Sequence, residues 1–511
     1  MLQSTSPLIA TEPARNRLTR RIAVSAWLGF GLAAVFFYPL AVALDAGAYY
    51  LQWQFGDVVE TVAALAGLTL ILASLLFALW PRSGRLSTIG LLAVAVLPLA
   101  SFAAGASRQL PYDAAMRAAW EHQALRIGLP AAIAGLLALG VVRWPQAFNR
   151  WFRRFLILTS PVSLVVVGTL VASAPRTDPV VNVERTPALA GQPAENACIP
   201  VLALLFDELS FSYLYDEAGD VRREFPEIGR FASTATNYLS VVAPGRETLI
   251  ALPSFLAARR IEDIRIEGDD IFELVDGGLV PFSAADPDSL FATARRLGFA
   301  TEMAGFYLPY CELLGGLADA CRSLSFYNLS STDEGFSLAD PILTTLVLWP
   351  RQFPFGLLKN PPFAALQREL VEHTKAFASR PMPVTRPTFR FVHFSVPHLP
   401  FVFDEGGYDP PFDPLQTAPD TRYVEQLRYV DRLVGDLVVR LRSRGAYEAT
   451  TVVILSDHGF RFGGRERDPL HIPFIVKLAG QQERVDVTSA SRGERLLKEI
   501  VERSCEGHTS G

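Results

Sequence analysis

Five long uncharged stretches crowd the first third of this chain, at Ile22–Leu44, Thr61–Trp80, Leu86–Ser107, Ile127–Val142 and Phe155–Ala174. A helix that crosses a hydrocarbon core about 30 Å thick needs roughly 20 apolar residues. Four of the stretches reach that length; Ile127–Val142 is shorter and contains Pro130. Five such runs in one block predict an α-helical membrane domain of five transmembrane helices over residues 1–174, not five buried core helices.

Basic residues orient the bundle. Arg15, Arg17, Arg20, Arg21, Arg82, Arg85, Arg143, Arg150, Arg153 and Arg154 would share one side, against Arg108, Arg117 and Arg126 on the other. Ten against three places the N-terminus in the cytoplasm. An odd number of spans then puts everything after Ala174 outside. Ala41-Val-Ala43 and Ala172-Ser-Ala174 look like signal-peptidase sites, but four further spans follow the first of them. Only four of the 47 basic residues are Lys, which suggests a GC-rich bacterial genome. The expected location is therefore the bacterial inner (plasma) membrane, as a multi-pass protein with an extracytoplasmic C-terminal domain.

Residues 175–198 are rich in Pro and polar side chains and read as a linker. Residues 199–511 remain, enough for a large core. The chain is 50% hydrophobic and 19% charged, which excludes disorder. A net charge of -5 gives no nucleic-acid footprint. The four cysteines suit an oxidising exterior. Cys311 and Cys321 are close enough for a local disulfide, while Cys505 either pairs with Cys198 or stays free.

The outer part reads as an α/β domain with a mainly parallel sheet. Ile199–Phe206 is a continuous apolar run, as expected of a strand buried on both faces. Phe389–Val396, Thr451–Leu455 and Ile472–Lys477 are further strands. From about Arg422 to Arg444, Tyr423, Leu427, Val430, Val434, Leu437 and Leu441 make one apolar helical stripe, which Gly445 ends. In such sheets ligands bind beyond the carboxyl ends of the strands. Those ends carry Asp207-Glu208, Asp457-His458 and His398, and His471 opens the last strand. Carboxylates and imidazoles together suit Zn²⁺ or Mn²⁺, with Mg²⁺ or Ca²⁺ as alternatives. After Gly245, Thr248 starts a helix through Leu256. Its hydroxyl either faces an anion at the helix N-terminus or serves as an ordinary cap.

Asp207 after an apolar strand, Thr248 five residues before Pro253, His398 in Val-Pro-His-Leu-Pro, Ser-Asp457-His458-Gly and His471-Ile-Pro form one ordered series. The series resembles the alkaline phosphatase superfamily, sulfatase-like branch. With five spans in front, the architecture resembles the membrane phosphoethanolamine and phosphoglycerol transferases, including the lipoteichoic acid synthases. The resemblance implies Thr248 as nucleophile and Asp207, Thr248, Asp457 and His458 as ligands of the main metal. His398 and His471 would hold a second metal or substrate oxygens. Glu208 is a further candidate ligand, and Arg246 and Arg461 are candidate clamps for an anionic substrate.

Two departures stand out. The phosphoethanolamine transferases would place Cys beside the Thr and Glu at the first ligand; here Glu247 and Leu249 flank Thr248, and the first ligand is Asp207. Sulfatases use a Cys or Ser in Cys-x-Pro-x-Arg that matures to formylglycine; Val242 stands at that place before Arg246. The implied activity is transfer of a phospho-headgroup to a membrane lipid or envelope glycan through a covalent Thr intermediate. Hydrolysis of phosphate or sulfate esters is the alternative, and an inactive envelope scaffold a weaker one.

Overall fold

The computed structural model describes residues 14–45, 55–79, 85–107, 123–173, 184–185, 198–267, 270–275, 278–284, 286–324, 337–348, 361–382, 386–408, 419–461, 464–465 and 468–506. They fall into two compact units. One takes the described residues within 1–46, 53–176 and 329–358, the other those within 47–52, 177–328 and 359–511. Most of the expected linker 175–198 lies outside the described residues.

The first unit is helical. Ala14–Phe36 packs along Phe55–Leu79 and Arg85–Ser107, with Leu28, Leu32, Leu72, Leu76 and Leu91 between them. Trp27 donates Nε1–H to Ser160 Oγ at 2.8 Å, at the break between helices Pro145–Thr159 and Val162–Ser173. Among the described residues four helical segments are long and apolar enough to cross a membrane: Leu18–Phe36, Asp57–Leu79, Arg85–Ala103 and Pro145–Ala172. The expected count of five is not reached. The stretch Ile127–Val142 does lie in a helix, Gln123–Arg143, but that helix is not among the four. It is the stretch with the shortest uncharged run, bounded by Arg126 and Arg143. A late part of the chain also folds with this unit: the Ser337 N–H donates to Glu60 Oε1 at 2.8 Å, just before the helix Ala339–Val347.

The second unit is built on a ten-stranded sheet. Its strands are β1 (Glu184–Arg185), β2 (Val201–Phe206), β3 (Thr236–Val242), β7 (Ala300–Phe306), β8 (Ala320–Leu324), β9 (Thr388–Phe394), β12 (Thr451–Ser456), β13 (His471–Lys477), β14 (Val485–Val487) and β15 (Ser491–Arg492). Their order is β1-β8-β7-β9-β2-β12-β13-β3-β14, with β15 also on β3. Strands β4 (Ile264–Glu267), β5 (Asp270–Val275) and β6 (Gly278–Pro281) make a small antiparallel sheet, and β10 (Phe403–Asp404) pairs with β11 (Gly407–Tyr408).

From β8 to β12 every neighbour is parallel. Strand β13 runs antiparallel to both β12 and β3. Its first residue, His471, therefore lies at the edge where the parallel strands end. Alternate residues of β2 feed two cores, as the period of a strand requires. Val201, Ala203 and Leu205 join the layer under helices Thr248–Ala257 and Gly493–Glu506. Leu202, Leu204 and Phe206 join the layer under Pro226–Ala232 and Pro419–Ser443. In that last helix the predicted stripe is buried at Tyr423, Leu427, Val430, Val434 and Leu437 and half-buried at Leu441, and Gly445 follows at φ 67°. Both disulfides form, Cys198–Cys505 and Cys311–Cys321.

Candidate active site

Register brings two of the expected acidic residues together. Strands β2 and β12 are parallel neighbours with Phe206 opposite Ser456, so Asp207 and Asp457 leave the sheet side by side. The Asp207 N–H extends the ladder one step, donating to Phe394 O at 3.0 Å. Glu208 then turns with φ 62°, which aims its N–H at Asp457 Oδ1, 3.0 Å away. The His458 N–H donates to the same oxygen at 2.8 Å. Thr248 arrives from the carboxyl end of β3 as the first residue of Thr248–Ala257. Glu247, not Thr248, occupies the cap position. The Thr248 hydroxyl is thus not a helix cap.

That hydroxyl points into the cluster. Its Oγ1 donates to Asp457 Oδ2 at 2.8 Å and lies 3.4 Å from both Asp207 Oδ1 and His458 Nε2. His458 Nδ1 lies 2.9 Å from Gly459 O, and a carbonyl can only accept. Nδ1 therefore carries a proton, and Nε2 faces the two carboxylates, 3.4 Å from Asp457 Oδ2 and 4.0 Å from Asp207 Oδ1. This is the arrangement that presents an imidazole to a metal.

Burial pushes the Asp207 carboxyl well above its usual range, and the charge of Asp457 adds to the rise. Two buried carboxylates this close repel unless a cation stands between them. His393, the penultimate residue of β9, adds a third direction. Its Nε2 is buried, has no hydrogen-bond partner, and lies 3.8 Å from Asp207 Oδ2. Burial lowers its pKa to about 4, so the ring is neutral near pH 7. Ligand atoms of Asp207, His393 and Asp457 all lie within 4.8 Å of one another. An orphaned imidazole nitrogen facing paired carboxylates fits a divalent cation.

The other expected residues make contacts of their own. Glu208 is held by Arg461, whose Nε donates to Oε1 at 2.7 Å. Arg246 is exposed, two residues before Thr248. His398 follows β9 with Nδ1 donating to Leu399 O at 2.8 Å. His471 donates Nε2–H to Leu239 O at 2.9 Å and stacks on Phe211. Val242, at the formylglycine position, ends β3 opposite His471. Sequence reasoning missed His393. The available signal was an imidazole between Val392 and Phe394 in a buried strand, which burial obliges to find a partner.

A family model described as Sulfatase matches residues 201–495, more than half of the chain. No curated protein matches it. Among solved structures the chain is similar to a sulfatase from Pseudoalteromonas sp., at 14% identity over 60% of this chain and 68% of that one, with a TM-score of 0.40. It is similar also to a phosphonate monoester hydrolase of Agrobacterium radiobacter, at 14% identity over 60% and 73%, with a TM-score of 0.37.

Proposed function

The chain belongs to the sulfatase family and is an enzyme of phosphoric or sulfuric esters; on that premise we propose a membrane-anchored, divalent-metal-dependent transferase that moves a phospho-headgroup to an envelope lipid or glycan through a covalent intermediate on Thr248. The observation that carries this reading is the convergence of Asp207, Asp457 and His458 on the Thr248 hydroxyl, at 2.8 to 3.4 Å. Asp207, Asp457, His458 and Thr248 would hold the metal, with Zn²⁺ or Mn²⁺ best matched to oxygen and nitrogen donors together. When bound, such a cation lowers the pKa of a coordinated hydroxyl and draws charge from phosphoryl oxygens.

The protein's own groups do the rest. Thr248 Oγ1 attacks phosphorus as its proton passes to Asp457 Oδ2. The new P–O bond forms, the bond to the leaving oxygen breaks, and that oxygen takes up a proton from solvent as it departs. An acceptor hydroxyl then attacks the same phosphorus and loses its proton to solvent; the Thr248 Oγ1–P bond breaks, and Asp457 returns the proton to Thr248. In this reading His398 and His471 serve a second metal or the substrate oxygens. Arg246 and Arg461 supply positive charge for the anionic substrate; Glu208 holds Arg461 through Oε1, and its buried, unpartnered Oε2 keeps it a candidate further ligand.

The four apolar helices support membrane anchoring. Leu70 is 70% exposed, Leu86 86% and Leu158 79%, as suits side chains that face lipid. We take Gln123–Arg143 as a fifth crossing, with the N-terminus cytoplasmic and the sheet domain outside the inner membrane. A second reading, transfer to water, uses the same residues and is favoured by the family match.

A peptide mass tests the covalent step. Trypsin releases Glu247–Arg259 from protein purified out of its native membrane. An added mass on Thr248 is expected, and its size names the group. A headgroup phosphodiester supports transfer, a bare phosphate or sulfate supports hydrolysis, and no adduct with any trapped substrate refutes both.

A further inference from the structure

His393 reaches the site from a strand, and its ring is aimed by a residue distant in sequence. Tyr310 Oη lies 2.8 Å from His393 Nδ1. The backbone of Phe306 also bonds the ring, in the sense that accepts from it. Nε2 has no hydrogen-bond partner, so both contacts belong to Nδ1. The proton is therefore on Nδ1, and the Nε2 lone pair points toward Asp207.

Several features fix the Tyr310–His393 pair. Its N–H donates to Ser323 Oγ at 3.1 Å, and that hydroxyl donates to Leu308 O at 2.8 Å. The next residue, Cys311, is bonded to Cys321 in β8. Tyr307 makes the turn out of β7 with φ 79°. The Phe306 ring lies against the His393 ring, with centroids 4.5 Å apart. Gly305 leaves the room: a Cβ there would stand 2.6 Å from Tyr310 Cε2 and 3.0 Å from His393 Cβ.

We propose that Tyr310 is a positioning residue: its hydroxyl, held by the disulfide-closed turn, fixes the His393 ring so that Nε2 serves as a further ligand of the cation at Asp207 and Asp457. This rests on reading that cluster as a metal site. Groups that orient a metal-bound imidazole typically change affinity by about ten- to a hundredfold.

The test uses the full chain in detergent, stripped by a chelator and titrated with Co²⁺. It reads the dissociation constant by chelator competition, and the visible d–d bands, which report the ligand set. Tyr310→Phe and Gly305→Ala are expected to weaken Co²⁺ by about tenfold or more and to shift the bands. His393→Asn is expected to do the same, and it carries the test should Tyr310→Phe fail to fold. Tyr238→Phe, in β3, is expected to change neither readout. Wild-type affinity and bands in Tyr310→Phe and His393→Asn would overturn the positioning role while leaving the metal site standing. A wild-type protein that binds no Co²⁺ would overturn both.

Discussion

Replacing Thr248 by valine removes one oxygen and keeps the β-branched shape. In the native protein that oxygen donates to Asp457 Oδ2 at 2.8 Å in a buried setting. A hydrogen bond to a charged group contributes about 1.5–3 kcal/mol. Asp457 is not stranded by its loss, because Oδ1 keeps the N–H groups of Glu208 and His458. The valine methyl fills the vacated space, so no cavity term is added. A stability loss of about 2 kcal/mol is within the usual native margin of about 5–15 kcal/mol, and the variant should stay folded. Activity should respond on another scale. Deleting a catalytic nucleophile costs on the order of 10⁶ in kcat, or about 8 kcal/mol of transition-state stabilisation. Partial unfolding cannot mimic a loss that large. Thr248→Ser separates chemistry from shape: it loses one methyl group, about 0.8 kcal/mol, and keeps the nucleophilic oxygen. The assay compares headgroup release and peptide adducts for wild type, Thr248→Ser and Thr248→Val, with melting temperatures alongside. Serine should retain measurable turnover and carry the adduct; valine should do neither. A folded valine variant retaining more than about a thousandth of wild-type turnover would refute the nucleophile assignment.

Other perturbations separate stability, electrostatics and topology. Opening Cys198–Cys505, which spans 307 residues, should cost about 6 kcal/mol by loop entropy, against about 3 kcal/mol for the ten-residue Cys311–Cys321 loop; with Tyr310 beside it, the smaller loop should nonetheless cost more metal affinity, an inverted ranking that melting curves and Co²⁺ titration check together. Asp431 accepts from the N–H groups of Glu227 and Ile228, and burial raises its carboxyl from 3.8 to about 6. The native state therefore holds that proton more tightly, and this contribution, full below the unfolded pKa, is lost as pH rises through about 6. Asp431→Asn keeps an acceptor oxygen without the charge, so its melting temperature should gain on wild type between pH 4 and pH 7.5; a difference that is flat with pH rejects the assignment. Protease added to intact spheroplasts should cut within 175–198, read as a shortened membrane fragment on a gel; cleavage only in inverted vesicles would reverse the proposed orientation.

Part of the site was legible because its residues sit where short patterns change. Asp207 and Asp457-His458 each follow an apolar strand, and a polar group at that point leaves the sheet at its carboxyl edge. Thr248 was legible as a position but not in its contacts: a capping hydroxyl and one turned into the carboxylates look alike until Glu247 is seen at the cap and Oγ1 on Asp457. The direction of β13 was not legible, since an apolar run has the same pattern read either way, and only pairing with β12 and β3 turns it antiparallel. Four membrane-length helices stand among the described residues, and Gln123–Arg143 is a helix outside those four, because an uncharged run names a helix but not its depth in a bilayer. Glu60 lies near the start of the helix Phe55–Leu79. It accepts a hydrogen bond from Ser337, 277 residues later, in a segment that folds with the helical unit. His393 is the sharpest case. Its ring is set by Tyr310, 83 residues away, across a gap kept open by Gly305. A ligand at a strand end inherits its aim from the local backbone, and sequence shows that. A ligand inside a strand inherits its aim from whatever packs on it, and only the folded chain shows that.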